Sequence, residues 1–415
     1  MSSEQAIAIL LFLTAICSHI NYKFIKLPKS IGITVVALLL SSLINILSVF
    51  YTPINDYALL LLNSLGFKET FLHGMLSFLL FAAALHINPQ ELSQQKFAIG
   101  IFATISVIIS SVLIGYATYG MSILCGLNLS IYYCFAFGAL ISPTDGIITL
   151  SILRGVRLPE ALEMKISGEA LFNDGMAIVL FFTAMALTDG DQTSIHTSKF
   201  LLFFLREFLG GIIFGGILGY LAIKLLNDIK DYDLMIILTL VLVTGGYIVA
   251  YSVLKVSGPI SIVVAGLIIG SHLKLNAKEN SQMQRLGEFW VLTDEILNAI
   301  LFVIIGIEFV WVDITIPISV AAAVLVLASL GARWISVYIP EFILTRHHAL
   351  NQNSTTVITW CGLRGGISIA LALGLPKPYG DTIVALTYFL VLFSIIVQGL
   401  TIKPLINKIY HESVS

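Results

Sequence analysis

Asp174 lies in the run Gly168-Glu169-Ala170-Leu171-Phe172-Asn173-Asp174-Gly175, inside a stretch otherwise dominated by apolar residues. About ten residues of helix past Lys165 place it ~15 Å in, close to the middle of a bilayer. Loss of water favours the uncharged form of a carboxyl group, whereas the carboxylate offers the oxygen ligands that hard cations prefer. One such site holds a proton or a sodium ion in turn, which is the minimum chemistry for exchanging the two.

Asn173 and Asp145 are its natural neighbours. The Asn173 amide has a carbonyl oxygen for a cation and an N–H for Asp145. In Ser142-Pro143-Thr144-Asp145-Gly146 the proline lacks an N–H and breaks the ladder of its helix, freeing a carbonyl near Thr144 and Asp145. Irregular backbone at membrane depth is tolerated where protein buries it or where it lines a wet cavity. Ser142 and Thr144 add hydroxyls. The candidate ion-binding set is therefore Asp174, Asn173, Thr144, Asp145 and Ser142; a proline kink with Asp145 and Asn173 paired for packing alone is the other reading.

Few other charges lie deep. Glu169 shares a helix face with Asn173, about a turn from the proposed site. Arg364, in Gly362-Leu363-Arg364-Gly365-Gly366, is the evident deep cation. A guanidinium bound to Glu169 neutralises both charges, so Glu169 and Arg364 are expected to form a structural pair. Asp294 and Glu295, with Asn298, read as a helix-end cluster or as the lining of a cytoplasmic funnel. His86 is the histidine to test as a pH modulator, against a plain interfacial role.

These residues need membrane-spanning helices to position them. Of 415 residues 58% are apolar and 11% charged, with mean hydropathy +0.97, against about 25% charged in soluble domains. The apolar residues fall in runs of roughly 18 to 25, the length of a transmembrane helix, and the ~10-residue alternation of a membrane barrel is missing. The fold class is all-α and polytopic. About thirteen spans are expected, near 5–21, 31–50, 70–87, 97–120, 129–152, 162–187, 199–226, 233–253, 257–272, 287–310, 314–338, 350–374 and 381–402, with 57–66 an interfacial connector.

Charge bias orients them. Lys23, Lys26, Lys29, Lys96, Arg154, Arg157, Lys278 and Arg346 flank one set of loops, and Arg333 sits near the inner end of the eleventh span. Lys68, Lys199, Arg206, Lys255 and Lys377 flank the other set, which also holds Asp189 and Asp191. The N-terminus is expected outside and the C-terminus in the cytoplasm. An odd count gives spans one to six and eight to thirteen opposite orientations, an inverted-topology repeat with interrupted crossing helices at spans five and twelve.

Other classes fit less well. A channel needs a continuous pore with repeated polar rings. An enzyme needs a metal cluster, nucleophile motif or phosphate loop, and none is evident; Cys17, Cys125, Cys134 and Cys361 have no metal-ligand spacing. No basic block points to nucleic acid.

Through Ile141-Ser142-Pro143-Thr144-Asp145, the Gly168–Gly175 run and Gly362–Gly366, in this order and over essentially the whole chain, the sequence resembles the cation:proton antiporter-1 family of bacterial and archaeal NhaP-type antiporters and animal sodium/proton exchangers. The resemblance implies a plasma-membrane secondary transporter exchanging Na⁺ for H⁺, with potassium or lithium as the alternative cation, no cofactor, and a homodimer working as an elevator. It implies a core of about 97–187 and 314–402, a dimerisation part of about 5–87 and 233–310, and a linker helix of about 199–226. Asp174 would be the ion carrier, Asn173 would make exchange electroneutral, and Glu169 and Arg364 would form a salt bridge. Gly146, Ala170 and Ala82 depart from the family's proline, serine and carboxylate, which shifts the expected sodium contacts toward Asp174, Thr144 and water.

Overall fold

The structure, a computed structural model, describes residues 3–50, 74–86, 97, 99–153, 156, 158–188, 197–229, 231–276, 281–309, 312–345 and 354–411. The expected connector at 57–66, the start of the third span, and loop residues Lys68, Lys96, Arg154, Arg157, Asp189, Asp191, Lys278 and Arg346 lie outside them. The side chain of His86 is likewise outside the description.

The described residues are helical, with no strand. α1 (Ser3–Ile20) runs into a π-helical turn, Asn21–Ile25, and α2 (Lys29–Phe50) follows; α3 is Leu76–His86. A π-helical segment, Phe102–Ser106, leads into α4 (Val107–Leu124), followed by α5 (Ile131–Ile141), α6 (Gly146–Leu153) and α7 (Glu160–Ala186). Next come α8 (Thr197–Asp228), α9 (Tyr232–Ile248) with a π-helical end at Val249–Leu254, α10 (Gly258–Asn276) and α11 (Ser281–Glu308). α12 (Ile316–Thr345), α13 (Ser354–Trp360), α14 (Gly366–Leu373), α15 (Tyr379–Phe393), a π-helical segment Ser394–Gln398 and α16 (Gly399–His411) complete the chain. Eight of these helices are long and apolar enough to cross a membrane, and four shorter ones are apolar, among the described residues.

The helices pack in two groups. α1, α2, α3, α9 and α10 adjoin α11, with α8 packed along α10, while α4, α5, α7, α12, α14 and α15 interlock around the middle of the chain. In the first group Trp290 is fully buried, its Nε1–H donating to Thr239 Oγ1 at 3.2 Å, with the Phe81 ring edge-on at 4.7 Å. The second group packs Phe137, Leu140, Ile141, Ile369, Leu386 and Tyr388 into the larger core. Large aliphatic side chains such as Leu39, Ile213, Ile237 and Leu327 stay exposed, as expected where the solvent is hydrocarbon rather than water.

α4 and α5 approach each other closely. A Cβ on Gly138 would fall 2.9 Å from Gly115 N and 3.1 Å from the Ser111 carbonyl carbon, so backbone meets backbone there. Only glycine permits that approach. Gly138→Ala is expected to cost about 1–3 kcal/mol by overpacking. Gly245→Ala, whose nearest atom is Val241 Cγ1 at 4.0 Å, is expected to leave thermal unfolding in detergent unchanged or slightly raised.

Candidate cation site

Both helix breaks fall inside the second group. α5 ends at Ile141 and α6 begins at Gly146, because Pro143 has no N–H to continue the ladder. Asp145 then caps α6: its Oδ1 accepts from Ile148 N at 2.9 Å, the geometry of an N-cap. α13 ends at Trp360 and α14 begins at Gly366, with Gly365 extended at φ −123°, ψ −167°.

The breaks lie against each other. Asp145 N–H donates to the Leu363 carbonyl at 2.6 Å, and Thr149 Oγ1 donates to the Cys361 carbonyl at 2.9 Å. A side chain on Gly365 would overlap the Asp145 carboxylate, so the close approach requires glycine at 365. Each break thus satisfies backbone groups that the other leaves free, as irregular backbone away from water must.

The expected site residues come together around α7. Asn173 is fully buried, and its Nδ2 donates to Thr144 Oγ1 at 2.8 Å, not to Asp145. Its Oδ1 is buried without a hydrogen-bond partner. The Asp174 carboxylate makes no hydrogen bond among the described residues and is partly exposed, with Asp145 close enough for their charges to interact. An unengaged carboxylate one residue along from an orphaned amide oxygen offers the oxygen donors that suit a hard cation or a proton. Ser142 is differently placed: its hydroxyl donates to the Gly138 carbonyl at 2.7 Å and accepts from Ser111 Oγ at 3.0 Å. Its hydrogen bonds therefore run into α4 and α5.

The expected Glu169–Arg364 pair requires correction. Glu169 is held by Arg333 of α12 in a two-pronged bridge, Nη1–Oε1 2.5 Å and Nη2–Oε2 2.9 Å, with both side chains 2% exposed. Arg364 instead donates through Nη1 to the carbonyls of Ser142 (2.7 Å) and Pro143 (2.9 Å). The reason lies in the break. Carbonyls at the end of α5 have lost their helical partners and carry the negative pole of that helix, so a cation is drawn there. The depth of Arg333 was missed because it was read as an inner helix end. The signal was the apolar stretch Trp334, Ile335, Val337, Tyr338 and Ile339, which carries the helix past it. Lys165 and Glu341 are buried as well; Glu341 accepts from Ser354 and Thr355.

Asp294 and Glu295 lie in the middle of α11 rather than at a helix end, because the helix starts as early as Ser281. Asn298 donates to the Asp294 carbonyl and carboxylate at 2.9 and 3.0 Å, and Glu295 pairs with Lys29 at 2.7 Å on an exposed face.

The buried pair yields a prediction. Arg333→Met strands an ionised Glu169 and is expected to cost about 3–5 kcal/mol, whereas Arg333→Met with Glu169→Gln is expected to recover most of it. Thermal unfolding of the purified protein in detergent separates the two.

Residues 8–408 match the family described as sodium/hydrogen exchanger, transmembrane. The chain is 39% identical to the Na⁺/H⁺ antiporter NhaP of Pseudomonas aeruginosa, over 97% of this chain and 96% of that protein. It is 33% identical to the Na⁺/H⁺ antiporter NhaH of Halobacillus dabanensis, over 93% of each. Its fold is similar to that of the sodium proton antiporter MjNhaP1 from Methanocaldococcus jannaschii at pH 8, with TM-score 0.75 and 18% identity over 98% of this chain and 99% of the other. With its two breaks, its buried ion pair and its open aspartate, the chain belongs to the sodium/hydrogen exchanger family.

Proposed function

We propose that this chain exchanges Na⁺ for H⁺ across the bacterial inner membrane, each ion binding in turn at Asp174. The observation that carries the reading is the unengaged Asp174 carboxylate one residue along from the partnerless Asn173 Oδ1. Thr144 is held by the same amide and supplies the next oxygen, with water completing the shell. Relatives named Na⁺/H⁺ antiporters support sodium as the cation.

The charge balance favours one-for-one exchange. In this region two guanidiniums, Arg333 and Arg364, stand against the carboxylates Glu169, Asp145 and Asp174. One bound Na⁺ or one proton neutralises the surplus charge equally, and Asn173 contributes none. Both occupied states then cross with the same net charge, making transport electroneutral. The empty site carries a bare charge, which is costly to move through a low-dielectric barrier.

We further read the second helix group, 97–187 and 314–402, as a core that moves as an elevator against the first. The first group, 5–87 and 233–310, is the dimerisation scaffold, and α8 the link between them. An apolar cavity of about 250 Å³ between α7, the start of the π-helical segment before α4, α8 and α10 supports this by leaving space beside the moving helix. An inverted repeat of about thirteen spans, with the N-terminus outside and the C-terminus inside, is supported by a local likeness. α1 ends in a π-helical turn capped by left-handed Lys26 (φ 56°), and α9, its counterpart in the second repeat, ends in one capped by left-handed Lys255 (φ 55°).

The test is sodium-driven pH change in sealed proteoliposomes. Wild type is expected to move protons on a sodium pulse, with no effect of clamping the membrane potential at zero, and Asp174→Asn is expected to be inactive. Activity retained in Asp174→Asn removes the carrier role from that residue, and a response to potassium alone changes the cation. Competition also fixes a pH dependence. Below the pH at which the free site titrates, protons occupy it, so the apparent KM for sodium rises about tenfold per unit of falling pH, and it levels off above. A KM flat with pH throughout this range overturns the shared site.

A further inference from the structure

An elevator must break whatever joins its two parts, and the contacts between the helix groups divide by type. Several are dry. Gly175 of α7 lies under Ile260 of α10, Gly366 of α14 under Leu301 of α11, and Gly399 of α16 under Ile31 of α2. Each sets the flat backbone of a core glycine against an aliphatic side chain of the first group, with no directional bond to break. Several strong polar contacts, by contrast, stay within a group. Glu169–Arg333, Asn173–Thr144 and Ser106–Ser336 lie inside the second. Lys29–Glu295 and Trp290–Thr239 lie inside the first.

Among the described residues, a polar contact that does cross joins Tyr388 to Glu308. Tyr388 Oη of α15, its ring fully buried, donates to Oε2 of Glu308 at 3.1 Å. Glu308 is the last residue of α11, and its neighbour Phe309 packs on the Tyr388 ring with centroids 5.9 Å apart. Along α11 this contact is about 20 Å from Glu295, which bridges to Lys29 from the middle of the helix.

We propose that the Tyr388–Glu308 hydrogen bond is a latch that holds the two helix groups in the arrangement seen here, closing the face at the end of α11, and that transport requires its release. Neither residue touches the ion; both set the balance between the two facing states. A hydrogen bond present in one state and absent in the other shifts that balance by up to about tenfold, and apparent affinity follows the fraction of molecules facing the ion. The proposal rests on the elevator reading, in which the end of α11 faces outward.

The experiment compares wild type, Tyr388→Phe, Glu308→Leu and the double variant in oriented proteoliposomes, with sodium presented at either face. Tyr388→Phe keeps the ring and removes the donor. It is expected to lower the apparent KM at the outer face about tenfold and raise it at the inner face, with the double variant shifting no further. Equal shifts at both faces, or none, overturn the latch. Spin labels at exposed positions Ile237 in α9 and Leu327 in α12 give a readout independent of transport. Wild type is expected to show one dominant distance and Tyr388→Phe a second. An unchanged distance distribution in both single variants also overturns it. If wild type moves no protons with sodium but the second distance appears, the latch stands and the antiport reading falls. Glu308→Leu removes the acceptor from the other side and serves if Tyr388→Phe fails to fold.

Discussion

A peptide N–H or C=O left unpaired in hydrocarbon costs several kcal/mol, and α5 and α13 each stop inside the bundle with such groups free. The protein answers by bringing the two interruptions together. Asp145 N–H meets the Leu363 carbonyl, Thr149 meets the Cys361 carbonyl, and the Arg364 guanidinium takes the carbonyls of Ser142 and Pro143. Two faults that are each costly alone become one satisfied junction. Gly365 is glycine because the Asp145 carboxylate occupies the space a side chain would need. The same junction positions Thr144, and through it the amide of Asn173.

That junction also explains the division of labour between the two arginines. Arg364 is committed to backbone and stabilises the end of α5, so a different guanidinium must neutralise Glu169. Arg333 does so in a geometry that uses both of its terminal nitrogens. A pair buried this completely is not chosen for net stability, since the desolvation of two ions offsets most of their attraction. It fixes α12 to α7 at one register, which keeps the neighbouring Asn173 and Asp174 at a defined height against the break in α5.

Much of this was legible in the sequence. Pro143 and the glycines around Arg364 mark helix interruptions by their own backbone chemistry, and Asp174 stands out because an ionisable residue in an apolar run requires a reason. Individual partners were not legible. Arg364 was matched to Glu169 because both looked deep, whereas depth alone does not say which acceptor lies within reach: the freed carbonyls of α5 were nearer. Asp145 was read as a neighbour for Asn173, but its place three residues before Ile148 makes it a helix cap first, a local role that residue spacing does encode. The crossing of Tyr388 to Glu308 joins residues 80 apart in the chain, and no periodic pattern reports a contact of that kind.

The cavity beside α7 gives the molecule a volume as well as a shape. Lined by Ile99, Leu171, Phe172, Phe208 and Val263, it is a mostly apolar cleft, partly open to the surroundings. Hydrostatic pressure favours states from which such voids have been eliminated. If the helix groups close over this space as they shift, the two arrangements differ in molar volume. The protein is then mechanically responsive: compression, or crowding of acyl chains at its flank, acts on the same equilibrium as the ion gradients, with no receptor site needed.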